Sequence, residues 1–339
     1  MTFYNVQKSA NEKYYKDPKT RIYYDFKTTS SACSMTALAC AKKAARMIEA
    51  WEKQSSEPLR IAEFGIGEGD FAAAFNKELL KQVDSTRFEY VMFDFSKPLL
   101  DKAKKLFTKE RLIGHFVCCD LANPAKFPYA RSGHFEYVIS NEMYDDLPAS
   151  IMCRKGKDVF EAVYDMEGEF REYAPCTNKK ALPFAASLPE NYNVPVNLGG
   201  MENLNMIKSI LRPGFGMADI FDYGFMSYNE IAKEPFEFWN QGVVRKFGTQ
   251  LTTDVNFELL EEYAKSIGFI AGSMQQSDFI EMMIGEKLTS VELEDGWHYF
   301  TREQIKKSAK KLGKQGYGKE FIKGEYSEEE PYYCLSLKV

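Results

Sequence analysis

Between Ile61 and Asp70 the chain reads Ile-Ala-Glu-Phe-Gly-Ile-Gly-Glu-Gly-Asp, an apolar strand running into an E-x-G-x-G-x-G turn and then a helical pattern. Glycines at such a turn let the backbone take positive φ and let a ligand approach the main chain with no Cβ in the way. The carboxyl end of the first strand is also where open α/β sheets bind nucleotides. The G-x-G-x-x-G fingerprint of nicotinamide and flavin proteins fails here. Counted from Gly65 its last glycine falls on Asp70, and counted from Gly67 it falls on Ala72. The spacing suits S-adenosylmethionine, which has no pyrophosphate to cradle; a chance glycine-rich turn is the plainer alternative.

The alternation continues along the chain. Strand patterns cover Leu59–Gly65, Phe88–Phe93, Leu112–Cys119, His134–Ser140, Ala218–Phe221, Phe269–Ser273 and Tyr332–Val339, with helical stripes around Phe71–Leu80, Pro98–Leu106 and Phe257–Ile267. Strands alternating with helices predict a doubly wound, parallel α/β sheet. Met35, Leu38, Ala41, Ala45, Ile48 and Trp51 form a further stripe, so residues 1–55 read as an N-terminal helical cover and 56–339 as the main domain. Residues 151–214 break the alternation. Turns at Lys155-Gly156 and Glu167-Gly168 and a Pro- and Asn-rich tract mark them as an insertion between the fourth and fifth strands.

Composition narrows the class. With 45% hydrophobic and 27% charged residues the chain is ordinary for a globular protein, and a net charge of −5 argues against a mainly nucleic-acid-binding surface. The uncharged stretch Thr28–Ala41 is 14 residues long; a spanning helix needs about 20 mostly apolar ones. Glu12 and Asp17 stand among the N-terminal lysines, unlike a signal or transit peptide, so a cytoplasmic protein with no membrane partner is expected. The seven cysteines form no C-x-x-C pair. Buried free thiols are expected rather than zinc, with Cys118-Cys119 in a buried strand. Gly313–Glu320 nearly spells a phosphate loop, but Glu320 stands where Ser or Thr must be, and no strand precedes it. The lysines from Lys306 to Lys319 read as a solvated helix face.

Acids recur at the strand ends. Asp94, 25 residues past Gly69 and followed by Phe95, can accept hydrogen bonds from ribose hydroxyls, and Asp120, followed by Leu121, is placed to meet the adenine amino group. Helix capping would explain each singly. Together with Glu63 they favour an adenosyl site. The fourth strand ends in Asn141-Glu142-Met143-Tyr144-Asp145-Asp146-Leu147-Pro148. Methyl transfer needs alignment of a nucleophile and exclusion of water. Were the nucleophile a guanidinium, Glu142 and Asp145 would orient it; for a neutral acceptor they could serve as a base, and a helix starting near Met143 would account for them as caps.

These residues resemble the MidA-like S-adenosylmethionine-dependent methyltransferases, a family that includes a mitochondrial complex I assembly factor acting as a protein arginine methyltransferase. Tyr24–Ser30 resembles the family's D-F-x-T-S segment, Glu63–Gly69 its glycine loop, and Asn141–Pro148 its N-E-x-F-D-A-L-P signature. Phe221-Asp222-Tyr223-Gly224 is similar to its D-Y-G turn, Asp254–Phe257 to its H-V-D-F, and Gln276–Phe279 to its Q-x-x-F. Asp146 replaces an Ala, Asn256 an Asp and Asp254 a His, and Val194–Asn197 stands where a Glu is usual.

The resemblance implies a class I, Rossmann-like methyltransferase sheet with S-adenosylmethionine as cofactor. It implies Thr28, Thr29, Ser30, Glu63, Gly65, Gly67, Gly69, Asp94, Phe95, Asp120, Leu121 and Asn141 on the cofactor side. On the acceptor side it implies Asn141, Glu142, Asp145, Asp222 and Tyr223. It further implies a protein substrate, of the respiratory- or hydrogenase-complex kind, whose arginine is methylated; a homodimer is compatible with it. A small molecule or lysine as acceptor, and a catalytically silent cofactor-binding assembly factor, remain the alternatives.

Overall fold

The computed structural model describes residues 1–20, 30–121, 127–129, 133–228, 243–293, 296–307 and 331–339. Its centre is the expected parallel sheet. Strands β1 (Leu59–Phe64), β2 (Phe88–Asp94), β3 (His115–Cys118), β4 (Tyr137–Asn141) and β9 (Met217–Phe225) run parallel, in the order β3-β2-β1-β4-β9. The sheet is completed by β13 (Ile270–Gln275) at the edge and, after the antiparallel pair β14 (Leu288–Leu293) and β15 (Gly296–Thr301), by β16 (Tyr332–Lys338), antiparallel to β9. The order reverses between β1 and its neighbours, so the carboxyl ends of β1 and β4 flank the crevice where such sheets bind ligands.

Side chains alternate across the strands and fill two layers. Leu59 and Ile61 of β1 pack with α2 (Ser30–Trp51) and α3 (Asp70–Leu80). Ala62 and Phe64 face the opposite layer, which holds α1 (Phe3–Lys16), α5 (Leu198–Ile210) and α6 (Phe257–Ser266). Helix α4 (Lys97–Glu110) follows β2, capped by the Ser96 hydroxyl. One buried ion pair ties α2 to the sheet: Lys43 Nζ lies 2.7 Å from Asp219, which also accepts from the Tyr137 and Ser336 hydroxyls.

Within residues 151–214 the two hairpin turns are present. Strands β5 (Ser150–Lys155), β6 (Asp158–Tyr164), β7 (Phe170–Pro175) and β8 (Asn193–Val196) form an antiparallel sheet in the order β7-β6-β5-β8. The same stretch also contains α5, a helix that the sequence pattern does not announce. Gly199 and Gly200 obscure that helix in the sequence, since glycine is a poor helix former, yet close packing explains them. A Cβ at Gly199 would lie 2.8 Å from Pro148 Cδ, and one at Gly200 2.9 Å from Tyr144 Cδ1. The start of α5 is thus pressed against the turn that follows β4.

Cys118 corrects the expectation of a buried thiol: it is exposed because β3 is the edge strand, with neither end residue covered. Residues 302–307 are helical, while the rest of the expected basic helix and the Gly313–Glu320 stretch lie outside the described residues. Among the described residues no helix is long and apolar enough to cross a membrane.

The D-Y-G glycine serves chain approach. Gly224 pairs with Val255 of β12 (Val255–Asn256), and a Cβ there would overlap the Val255 carbonyl. Gly224→Ala is therefore expected to cost roughly 1–3 kcal/mol, read as a lower thermal midpoint. An unchanged midpoint would show that β12 does not sit against β9 this closely.

Candidate active site

The glycine loop joins β1 to α3 with Gly65, Gly67 and Gly69 at φ 73°, 55° and 89°. Three left-handed residues in seven explain why the turn needs glycine. The Gly65 and Ile66 N–H groups donate to the Phe93 carbonyl at 2.9 and 3.3 Å, and Gly67 N–H donates to Asp94 Oδ2 at 2.9 Å. A Cβ on Gly65 would press into Met143, and one on Gly69 into Ala103 at 2.8 Å. The loop is thus pinned to the end of β2 on one side and to the turn after β4 on the other.

Asp94 is buried, and burial pushes its carboxyl up to about 6 against the pull of the Ser96, Gly67 and Phe95 N–H groups. Tyr15 of α1 closes over this corner. Its carbonyl accepts from the Ser96 hydroxyl at 2.5 Å, and its ring meets Phe95 edge-on at 5.7 Å. Lys102 bridges Glu68 and the Thr20 carbonyl at 2.8 and 2.7 Å. Asp120 is exposed beyond β3, whereas Leu121 is buried, its carbonyl accepting from Asn203. Ser30 opens α2, and Thr28 and Thr29 lie outside the described residues.

Glu63 does not join the other two acids. Its side chain points into the layer beneath α2 and takes the Tyr90 hydroxyl, because its parity along β1 is that of Leu59 and Ile61. Burial pushes its carboxyl up to about 8. A carboxyl raised in the folded state makes the fold most stable below its ordinary value of 4.5, with that stability lost as pH climbs towards about 8. The expected slope is at most about 1.4 kcal/mol per pH unit. Glu63→Gln should flatten this dependence, measured by urea unfolding across the window; equal slopes in the two proteins would refute the assignment.

The turn after β4 holds the remaining acids. Asn141 ends the strand half-buried, and Glu142 follows in a left-handed conformation, φ 50°, with its N–H on the Phe221 carbonyl at 2.8 Å. For a non-glycine residue that conformation costs about 1–3 kcal/mol and gathers at functional sites. Asp222 is fully buried and accepts the N–H groups of Tyr144, Asp145 and Tyr223 at 2.7, 3.1 and 2.9 Å. It holds the turn in shape. Asp145 is buried as well, and its Oδ1 has no hydrogen-bond partner. Burial, and then the neighbouring charges of Asp222, Asp146 and Glu142, push its carboxyl well up against a hydrogen bond from the Tyr223 side chain; burial and then Glu142 do the same to Asp222. The Tyr223 hydroxyl pairs with Thr252, on β11 (Gln250–Thr253).

Helix α1 was expected only as part of a cover. Gln7 donates to the Asp145 carbonyl at 2.8 Å and accepts from Ala149 N–H at 2.9 Å. Asn11, Tyr15 and Gln250 all bond Asp146, whose carboxyl burial raises to about 7. The available signal was the stripe Phe3, Val6, Gln7, Asn11, Tyr14, all buried: polar side chains on an apolar stripe imply partners across it. Asn256, a departure from the family pattern, caps α6 through Leu259 N–H at 3.0 Å. Among the described residues no group of His, Cys, Asp and Glu is placed to hold a metal ion.

Residues 39–272, more than half of the chain, match the model of a family described as "putative S-adenosyl-L-methionine-dependent methyltransferase". The chain belongs to this family. Among solved structures it resembles two from one superfamily in Burkholderia thailandensis. One, uncharacterized, is 17% identical with a TM-score of 0.64, covering 100% of this chain and 87% of that one. The other, solved with S-adenosyl-homocysteine bound, is 16% identical with a TM-score of 0.64, covering 100% and 88%. Among curated proteins none matches the sequence. The fold is that of the class I methyltransferases, and S-adenosylmethionine is the family's cofactor. The residues present suit it: a loop of left-handed glycines offers bare backbone at the end of β1, flanked by the carboxyl of Asp94.

Proposed function

We propose that this methyltransferase modifies an arginine side chain of a partner protein. The observation that carries the reading is the buried, unpartnered Asp145 Oδ1 beside Glu142, at the end of the strand next to the glycine loop. A buried carboxylate oxygen without a donor is costly, and a guanidinium supplies donors in a planar fork. Gly65, Gly67, Asp94 and Phe95 would hold the cofactor, with Asp120 and Leu121 at the adenine side and Asn141 between cofactor and acceptor. Bound there, S-adenosylmethionine supplies a methyl group on a positively charged sulfur. Glu142 and Asp145 would hold the guanidinium with one nitrogen free to take the methyl as its bond to sulfur breaks and the neutral thioether leaves, and a carboxylate oxygen would take the proton the nitrogen sheds. Asp222 and Tyr223 keep the two acids in place, and α1 with Tyr15 keeps water out.

Transfer of labelled methyl groups into native lysate, followed by amino-acid analysis, tests the reading. Label is expected in methylarginine. Label confined to methyl-lysine or to small molecules would reject arginine as acceptor, and no label at all would favour a cofactor-holding scaffold.

A further inference from the structure

The acceptor side already holds a guanidinium. Arg245 stands on β10 (Val244–Phe247), with its guanidinium carbon 4.5 Å from the centre of the Tyr223 ring and Nη2 2.8 Å from Asp254 Oδ1. An aromatic face on one side and a carboxylate on the other is the way a protein grips a foreign arginine. Tyr223 itself adjoins the acid cluster, its N–H donating to Asp222 Oδ1 at 2.9 Å, so the ring that carries Arg245 is fixed beside those acids. The hold is partial: 42% of the Arg245 side chain is exposed, and β10 pairs only with β11 in a two-stranded ribbon among the described residues.

We propose that Arg245 stands as an internal guanidinium at the edge of the acceptor subsite, on Tyr223 and Asp254 rather than on the free Asp145 oxygen, and has to move aside before an acceptor arginine enters. This rests on the arginine reading above. It also gives Asp254 a role: the acid supplies the counter-charge that draws Arg245 inward. An internal occupant lowers apparent affinity by the fraction of time it fills the site.

Calorimetric titration of N-acetyl-arginine amide into the protein saturated with S-adenosyl-homocysteine tests this. Arg245→Ala is expected to bind the probe about tenfold more tightly than wild type. The double variant Arg245→Ala/Asp254→Asn should show the same gain without leaving Asp254 unpaired, which guards against loss of the fold. The gain should persist in about 0.5 M salt, where the field of a lone surface charge is screened. No gain in either variant, or a gain that disappears in salt, would overturn the proposal. A gain in binding with no methyl transfer to arginine by any of the proteins would leave Arg245 as the occupant and remove the arginine reading instead.

Discussion

Gly67→Val is expected to weaken binding of S-adenosyl-homocysteine by on the order of a hundredfold or more. Gly67 sits at φ 55°, where a β-branched residue is strongly disfavoured, by about 1–2 kcal/mol for an L-residue and more with branching. The loop relieves that strain only by turning, and turning breaks the Gly67 N–H bond to Asp94 Oδ2. A hydrogen bond to a charged group contributes about 1.5–3 kcal/mol. The bond given up to relieve the strain is worth up to about 3 kcal/mol, and each 1.4 kcal/mol is tenfold in affinity. The control is Gly214→Val: Gly214 has φ 75° with nothing near its Cβ position, so the same backbone strain falls far from the loop. Calorimetry on both proteins separates a cradle from a generic effect. Equal affinities in the Gly67 variant and wild type, or equal losses in the two variants, would remove the loop from the cofactor site.

The parallel sheet was legible because its strands are short apolar runs bounded by turn residues, and β1, β2, β4, β9 and β16 each fall on the expected stretch. Leu59–Phe64 and Phe88–Asp94 needed only period and punctuation. Helix α5 was not legible: its first turn carries Gly199 and Gly200, whose reason is the approach of Pro148 and Tyr144, distant in sequence. The exposure of Cys118 depends on β3 having no further neighbour, which no local pattern reports. Among the candidate site residues, Asp94 and Glu142 lie at strand ends that the sequence itself marks. The same marks do not place Glu63, because parity sends it beneath the sheet, nor Asp222, whose partners are backbone N–H groups across the turn. The contacts of Asn11 and Tyr15 with Asp146 come from a separate element, 131 residues away in the case of Tyr15.

Glu142→Gln should then divide catalysis from cofactor binding. The side chain keeps its shape and its left-handed backbone, so the turn that Asp222 holds from beneath is undisturbed. What disappears is a negative charge next to Asp145 and a site for the departing proton. Groups that hold or move a proton in the transition state contribute typically about 10²–10⁴-fold, so methyl transfer should fall by roughly a thousandfold while S-adenosyl-homocysteine affinity stays at the wild-type level. Asp145→Asn should lose transfer similarly, because it replaces the unpartnered Oδ1 with a weaker acceptor or, flipped, with a donor facing a cation. Asp222→Asn is different in kind. Its amide nitrogen would confront N–H groups now accepted at 2.7–3.1 Å, so that variant should lose thermal stability along with turnover. Full activity in Glu142→Gln and Asp145→Asn would mean that these acids only shape the turn. The acceptor would then have to be a group needing neither counter-charge nor base, as a thiolate or another anionic nucleophile would be.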